Sequence, residues 1–324
     1  MLIQSINMFR INTYGGDTSW TVYQLEDTVQ DIRVDIVPSA GGILNAWWVG
    51  GINVIDGYTD REDFVQRVHA GFRSAKLLPF VCRLNNATYR WQQQEYRLDK
   101  FLLNGSALHG IVYDQAFSVV AEKRDEYGCS VELEYQYTGE HPGYPFPFSC
   151  KVGYVLREAG KLEITTWVAN AGSASSAIPI VDGWHPYFTL GGKVDDWWLK
   201  IASDQMMEYD DLLIPTGKFI LRDEFLKGRL INDLNLDNGF LLQSGVYPFC
   251  TLRNYDTGLW VNFLRHENYP FLQLYIPDHR KCIAIENLSG APDAFNNQIG
   301  LKIIHPGDFL RLVIEIQVGS EKTT

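Results

Sequence analysis

The chain has few cysteines, and they are not arranged as a disulfide framework or a metal site. Five occur in 324 residues, the number is odd, and no Cys-x-x-Cys pair is present. Widely spaced thiols of this kind are typical of proteins from a reducing compartment, whereas small secreted domains carry dense, even-numbered cysteines. We therefore expect free thiols and a cytoplasmic location.

Positive charge and long apolar runs are also scarce. Lysine and arginine total 28 against 39 aspartates and glutamates, which gives a formal net charge of -11. Nucleic acids and anionic membranes attract basic faces, so neither is an expected partner. No apolar stretch approaches the ~18 residues that a membrane helix needs. Residues 1–8 lack the basic and apolar segments of a signal peptide.

Several motifs that bind cofactors or perform catalysis are missing. The sequence contains no Gly-x-Gly-x-x-Gly or Walker loop for a nucleotide, and no Gly-x-Ser-x-Gly nucleophile elbow. His266 and Glu267 are adjacent, but the second histidine of a His-Glu-x-x-His zinc motif does not follow. We therefore expect neither a cofactor nor a metal ion, and the acidic balance disfavours a polyphosphate substrate.

Alternation of apolar and polar residues is common, whereas helical periodicity is rare. Clear examples are Ile32–Val37, Cys129–Tyr137 and Cys282–Glu286, which have the two-residue period of a half-buried strand. At least a dozen such segments, with turn signals every ~8–12 residues, predict an all-β fold built as a large antiparallel sandwich. Because no linker or repeat interrupts the pattern, residues 1–324 are expected to form one domain.

Two segments of the chain depart from the strand pattern. Residues 61–72 fit a short helix about as well as a loop. Asn235–Phe240 contains an Asn-Gly pair and is predicted to be a tight turn. The chain is 46% hydrophobic, which is enough to bury a large core around these segments.

Two histidines and one glutamate are candidates for chemistry. His185 lies in the aromatic stretch Val181–Leu190, where burial would lower its pKa unless a carboxylate offset the effect. Glu286 ends the alternating strand Cys282–Glu286 and is a plausible base, although a solvated carboxylate at a strand end explains it more simply. His109 lies in a glycine-flanked loop, where ligand contact and an ordinary surface position are equally reasonable.

Six short motifs in order resemble those of the aldose 1-epimerase (galactose mutarotase) family, and together they run from about residue 30 to residue 317. Each motif is weak alone, but the shared order is fairly specific. The resemblance implies an antiparallel β-supersandwich, in agreement with the strand pattern. The motifs are Arg83-Leu with its following hairpin, Leu-His109-Gly, Gly-Trp-His185-Pro-Tyr-Phe, Leu-Asp237-Asn-Gly-Phe, Ile-Glu286-Asn with Gly-Ala-Pro-Asp-Ala-Phe, and Leu301 followed by His-Pro-Gly-Asp308.

The resemblance also implies an activity, the interconversion of the α and β anomers of a free aldose without a cofactor. Glu286 would be the general base that takes the proton of the C1 hydroxyl. His185 would be the general acid that protonates the ring oxygen, and His109 would donate a hydrogen bond near that oxygen. Arg83 and Asp237 would hold peripheral hydroxyls. The partner would be a monosaccharide, and the protein would be a monomer or a homodimer.

These roles lead to an expectation about charge. An ionised Glu286 and a protonated His185 would each favour the charged form of the other, as opposite charges do. The remaining histidines are expected at the surface or in turns, and Asp182 is expected to bond to the backbone. Those other histidines are His69, His141, His266, His279 and His305.

Three other functions remain open on the sequence. A non-catalytic sugar-binding protein on the same scaffold would not need an acid–base pair. A glycoside-cleaving enzyme that used Glu286 with Asp237 would require the two carboxyl groups to be ~5.5 Å or ~6.5–9.5 Å apart. A hexose-6-phosphate mutarotase would require a cluster of arginines or lysines at the pocket, which the sequence does not locate.

Overall fold

The computed structural model describes residues 8–15, 18–172 and 176–321, and every structural statement below refers to these residues. Antiparallel strands dominate the fold. The first eleven are β1 (Phe9–Tyr14), β2 (Val22–Asp27), β3 (Ile32–Val37), β4 (Ile43–Val49), β5 (Ile52–Asn53), β6 (Lys76–Leu77), β7 (Arg83–Leu84), β8 (Thr88–Trp91), β9 (Gln94–Arg97), β10 (Leu102–Leu103) and β11 (Ser106–Leu108).

The remaining strands continue this pattern along the chain. The next nine are β12 (Ser118–Arg124), β13 (Gly128–Tyr137), β14 (Phe148–Arg157), β15 (Lys161–Asn170), β16 (Ile178–Ile180), β17 (Gly183–Trp184), β18 (Tyr187–Phe188), β19 (Trp198–Ile201) and β20 (Gln205–Tyr209). The last nine are β21 (Pro215–Leu221), β22 (Arg229–Leu230), β23 (Asp237–Leu241), β24 (Cys250–Arg253), β25 (Leu259–Glu267), β26 (Phe271–Tyr275), β27 (Ile283–Leu288), β28 (Lys302–Ile304) and β29 (Phe309–Ser320).

Helices are short and few in the described part of the chain. They are α1 (Arg61–Gly71), α2 (Ala294–Asn297) and five single 3-10 turns at Thr18–Trp20, Pro38–Ala40, Asn85–Ala87, Glu158–Gly160 and Val194–Asp196. None of them is long and apolar enough to cross a lipid bilayer.

Two large sheets organise the molecule. One has nine strands in the order β12-β13-β14-β15-β29-β25-β24-β19-β22, and the other has eight, in the order β21-β20-β23-β26-β27-β17-β6 with β18 also paired to β27. Neighbouring strands in both sheets are antiparallel. A five-stranded sheet β1-β2-β3-β4-β5 and three smaller sheets complete the structure. The predicted all-β antiparallel supersandwich is confirmed.

Alternation in the sequence explains which side of each strand enters the core. In β13 the apolar residues Val131 and Leu133 are buried, while Ser130, Glu132 and Glu134 between and beside them are more exposed. Burying one such aliphatic side chain contributes roughly 1.5–3 kcal/mol. The same alternation recurs in strands of both large sheets, so the two inner faces form one extended apolar core.

Helix α1 settles the ambiguity of residues 61–72. Asp60 caps its N-terminus by accepting a hydrogen bond from the backbone N–H of Asp63, which satisfies one of the free donors of the first turn. Phe64 and Val68, four residues apart, are buried on one face. The helix ends where Phe72 adopts a left-handed conformation (φ 49°) and turns the chain toward the site described below.

The predicted tight turn at Asn235–Phe240 is wrong. Asp237–Leu241 forms β23, whose residues pair with those of β26. The glycine of the Asn-Gly pair serves close packing instead, because a Cβ on Gly239 would lie 2.5 Å from the hydroxyl oxygen of Tyr209. A local turn signal was therefore overridden by pairing in the sheet.

A buried ion pair lies beneath the site. The expectation that Asp182 bonds to backbone is wrong, because its carboxylate pairs with the Lys76 ammonium and accepts a hydrogen bond of 2.6 Å from the Tyr269 hydroxyl. Both charged side chains are fully buried. The ammonium also lies 4.6 Å from the centre of the Trp184 ring, which belongs to the core as expected.

Candidate active site

Three adjacent strands of the eight-stranded sheet form the floor of a pocket. In β23, β26 and β27, Gly239 lies opposite Gln273, and Gln273 lies opposite Glu286. Directly opposed residues of antiparallel strands point to the same face. Asp237 and Tyr275, which form the next pair on that face, also line the pocket.

His185 is held by the chain that leaves β17. Its backbone N–H donates to the carbonyl of Ala75 (3.1 Å), and its own carbonyl accepts from the N–H of Ser74 (2.9 Å). The imidazole stacks on the ring of Tyr187, with centroids 5.0 Å apart and planes 19° from parallel. Stacking on Tyr187, two residues further along the chain, therefore restricts the orientation of the imidazole ring.

His109 follows β11 in a strained turn. It adopts a left-handed backbone conformation (φ 60°), and its N–H donates to the carbonyl of Cys82 (2.9 Å). Gly110 must be glycine, because a Cβ there would lie 2.1 Å from the carbonyl oxygen of Leu78. Strain of this kind at a non-glycine residue is typical of functional sites, and it aims the imidazole toward the ring of Phe72, 4.5 Å away between centroids.

The three side chains predicted to be catalytic converge. His185 Nε2 lies 3.3 Å from Glu286 Oε1, and the rings of His109 and His185 are 5.0 Å apart, nearly perpendicular. Their exposed fractions are 8% for His109, 5% for His185 and 2% for Glu286. Glu286 is therefore not a solvated strand-end carboxylate. Two imidazoles and one carboxyl group from three distant parts of the chain meet at the pocket floor.

Burial controls the charges of this group. It raises the pKa of Glu286 well above its usual range, and the negative charge of Asp237 adds to the effect. Burial lowers the pKa of His185 to about 3, with a further contribution from the positive charge of Arg73. Although 3.3 Å is close enough for an ion pair, the desolvated surroundings favour a neutral carboxyl beside a neutral imidazole. Both pKa shifts therefore disfavour, in the absence of a ligand, the ionised pair that was expected from the sequence.

His109 is also neutral. Burial lowers its pKa well below the usual histidine range, and the nearby His185 and Arg83 oppose a positive charge. A neutral imidazole keeps one N–H donor and one acceptor nitrogen. His109 can therefore donate a hydrogen bond to a ligand oxygen without exchanging a proton with it.

Arg83 and Asp237 both line the pocket. Arg83 is in β7, opposite Leu108 of β11, and both it and Asp237 line the cavity. Burial raises the pKa of Asp237, while the Arg83 charge and a hydrogen bond from Gln273 oppose that rise. No hydrogen-bond or ion-pair partner of the guanidinium is found in the described ranges, so its donors remain available to a ligand in the pocket.

Gln273 and Tyr209 were missed by sequence reasoning. Tyr209 donates to Gln273 Oε1 (2.9 Å), and Gln273 Nε2 donates to Asp237 Oδ1 (2.8 Å). This chain of hydrogen bonds fixes the orientation of the Asp237 carboxylate. A signal was present, because Gln273 is the one amide in the apolar run Phe271–Ile276.

His69 was also missed as a pocket residue. It is exposed, as expected, but it lies near the end of α1 at the mouth of the pocket. Its ring stacks on Phe101 with centroids 4.3 Å apart, and its Nε2 is 3.1 Å from the Tyr113 hydroxyl oxygen. The cavity encloses about 220 Å³, and two leucines, one in β10 and one between β20 and β21, also line it (Leu103, Leu213).

Fold and site together define an all-β protein whose buried carboxyl–imidazole pair can exchange protons with a small ligand. A family model described as Aldose 1-epimerase matches residues 22–317. The chain belongs to the aldose 1-epimerase family, as its motifs indicated.

Individual relatives are distant. The protein YihR of Escherichia coli strain K12 is 25% identical over 247 residues, which cover 74% of this chain and 77% of YihR. A galactose mutarotase-like protein from Clostridium acetobutylicum has a TM-score of 0.83 at 19% identity, over 96% of this chain and 99% of that one. Galactose 1-epimerase from Lactobacillus acidophilus NCFM has a TM-score of 0.81 at 17% identity, over 97% and 99%. These structural likenesses establish the shared fold.

Proposed function

We propose that the protein interconverts the α and β anomers of a free aldose. The observation that carries the proposal is the 3.3 Å contact between His185 Nε2 and Glu286 Oε1 on the floor of a small pocket. Mutarotation removes a proton from the C1 hydroxyl and adds one to the ring oxygen. A proton donor and a proton acceptor held this close to each other meet that requirement.

The proposed reaction opens and recloses the sugar ring. Glu286 takes the C1 hydroxyl proton, the oxygen forms a carbonyl with C1, and the C1–O5 bond breaks. The bonding electrons go to O5, which takes a proton from His185. Rotation about C1–C2 then presents the other face of the aldehyde, and reversal of both proton transfers gives the second anomer.

The proton shared by Glu286 and His185 changes place as the sugar ring opens and closes. After ring opening, Glu286 carries the proton and His185 is neutral, which is the arrangement that burial favours. A closed sugar reacts only after this proton has moved from Glu286 to His185. The pair holds one proton throughout, so the cycle consumes none from solvent. His109 supports the ring oxygen as a neutral hydrogen-bond donor.

The charges of the pocket favour an unphosphorylated sugar. In the part of the chain that the structure describes, Arg83 is the one arginine or lysine lining the pocket, and Asp237 offsets its charge. A phosphate ester would bring about two negative charges at neutral pH to a cavity in which Asp237 already offsets the charge of Arg83. Arg83 and Asp237 suit neutral hydroxyls, because one offers several donors and the other accepts.

We further propose that the protein acts in a reducing compartment such as the cytoplasm. All five cysteines are free thiols, and four of them are buried. Burial raises the pKa of Cys150 and Cys282 to about 12, so both remain unreactive thiols. None of the five forms a disulfide bond in the described structure.

Replacing Glu286 by Gln tests the catalytic role. We expect anomer exchange, measured by NMR on galactose, glucose and xylose, to slow by about 10²–10⁴-fold because the base is lost. Sugar binding should stay within about tenfold, since the amide keeps the shape of the carboxyl group. Glu267→Gln, at an exposed ion pair with Arg311, is the matched control and should leave the rate unchanged.

Two results would contradict the proposal. Full activity of Glu286→Gln would remove this residue as the base. A wild-type protein that binds these sugars but does not accelerate exchange would be a non-catalytic sugar-binding protein. Exchange that is accelerated only with 6-phosphates would instead identify a phosphosugar mutarotase.

A further inference from the structure

The pocket floor contains a set of metal-ligating groups that does not correspond to a metal-binding sequence motif. His109, His185 and Glu286 each offer one ligand atom, and these atoms lie within 4.8 Å of one another. Two imidazoles and one carboxylate are a donor set typical of zinc sites with an open fourth position. A metal site here could not be predicted from sequence spacing, because the three residues come from distant segments and not from one closely spaced motif.

The distances suit a tetrahedral ion. Bonds of about 2.0–2.1 Å to nitrogen and oxygen place two ligand atoms about 3.3 Å apart in a tetrahedral site. His185 Nε2 and Glu286 Oε1 are 3.3 Å apart. One edge of the coordination polyhedron is therefore already present. The 4.8 Å limit on the remaining separations leaves only a small movement of the His109 ring to complete the site.

We propose that a single divalent transition-metal ion, Zn²⁺ above all, binds to His109, His185 and Glu286 and inhibits the protein reversibly. A bound ion would occupy the lone pairs of the carboxylate and the imidazoles, so neither could exchange a proton with a sugar. It would also fill the space that C1 and the ring oxygen require. The inhibition rests on the proposed function, whereas the binding of the metal does not.

The surroundings indicate an inhibitory site and not a resident cofactor. His185 Nε2 and Glu286 Oε1 face each other, and the far atoms of the same side chains, His185 Nδ1 and Glu286 Oε2, are buried without a hydrogen-bond partner in the described part of the chain. Resident metal sites hold the far atoms of their ligands by hydrogen bonds, and losing such a bond typically costs 10–100-fold in affinity. Zn²⁺ should therefore bind weakly enough to be displaced by sugar or by a chelator.

A second cluster provides the natural alternative. Cys282 Sγ lies 3.9 Å from His279 Nε2 and 3.5 Å from Asp56 Oδ2, outside the pocket. Zinc binds the thiolate and not the thiol, and burial with the Asp56 charge raises the pKa of Cys282 to about 12. This cluster is therefore the weaker candidate, and His279 supplies a matched control.

Isothermal titration calorimetry with zinc chloride, without sugar, tests the binding. The wild-type protein should bind one equivalent, and His109→Gln and Glu286→Gln should each weaken binding by at least about tenfold. His279→Gln should bind as the wild type does. Circular dichroism must show that each variant is folded. Equal affinity of the wild type and both pocket variants, loss of binding in His279→Gln alone, or no binding below millimolar zinc would overturn the proposal.

Anomer exchange tests the inhibition separately. Zn²⁺ should slow exchange competitively with sugar, EDTA should restore the rate, and the same concentration of Mg²⁺ should have no effect, because Mg²⁺ prefers oxygen ligands. Stoichiometric zinc binding with an undiminished rate would refute the inhibitory role. If the wild type proves to have no mutarotase activity, the calorimetric result still decides whether the metal site exists.

Discussion

At the scale of single residues, the medium around Glu286 and His185 sets the chemistry. The sequence showed aromatic neighbours around His185, and a lowered pKa was expected unless a carboxylate offset it. A carboxylate is present at 3.3 Å, yet it is itself desolvated and prefers its own proton. The two groups therefore share a single proton instead of forming an ion pair. Local sequence could not show this, because the desolvation of Glu286 depends on groups from several strands.

The shared proton predicts an unusual pH profile. Because the lowered pKa of His185 is about 3, the acid limb of kcat/KM should lie far below the 6.5 of ordinary histidine. The alkaline limb should lie above the usual glutamate range, because burial raises the pKa of Glu286. Both limbs belong to the coupled pair. Anomer exchange across pH, with the uncatalysed rate subtracted, checks this prediction. A limb centred near pH 6.5 would contradict it, because His185 would then titrate as an ordinary histidine and not as part of the buried pair.

At the scale of secondary-structure elements, the three strands β23, β26 and β27 carry the floor of the site. Alternation correctly placed Glu286 on one face with Cys282 and Ala284, which pack beside Tyr187 and Tyr275. The order of the strands was not predictable, since Asn-Gly imitates a turn and pairing between strands is not local. As a result Asp237 was identified by motif but assigned to the wrong element.

Gln273 is expected to position Asp237, so its replacement should affect sugar binding more than the chemical step. Gln273→Met leaves two polar side chains without their partner, a loss of about 1–3 kcal/mol. KM should rise by about tenfold or more, while kcat changes little. Kinetics of anomer exchange separate the two parameters.

A suitable control for this variant is Gln136→Met, because Gln136 is exposed on β13 and bonds only to Glu134 in the described structure. It should behave as the wild type does. A Gln273→Met enzyme with lowered kcat and unchanged KM would show that Gln273 acts on Glu286, its cross-strand neighbour, and not on Asp237.

At the scale of the whole molecule, the fold class was predictable and the pocket was not. Alternation is a local property, so the strands at Ile32–Val37 and Cys129–Tyr137 could be recognised directly. The convergence of His109, His185 and Glu286 depends on register and sheet order, and only the resemblance to a family indicated it. That residues 1–324 form one domain, and that the protein is a monomer or homodimer, stay predictions.

Stability should depend strongly on the buried pair of Lys76 and Asp182. Lys76→Met leaves a carboxylate that is fully buried and unpaired, and breaking such a pair typically costs 3–5 kcal/mol. Urea unfolding should show this loss. The exposed pair of Lys218 and Glu208 offers the control, and Lys218→Met should change stability by less than about 1 kcal/mol. A loss no larger than that in Lys76→Met would mean that Asp182 becomes neutral without consequence.

The position of β29 determines when the nine-stranded sheet can be completed during synthesis. Among the described residues, this strand lies between β15 and β25 and joins the block β12-β13-β14-β15 to the block β25-β24-β19-β22. Both blocks are synthesised before β29, so each keeps an unpaired edge until this strand is available. Open edges recruit strands from other chains, and such long-range pairing is slow. Nascent chains of this protein are thus most prone to aggregate just before their last long strand appears.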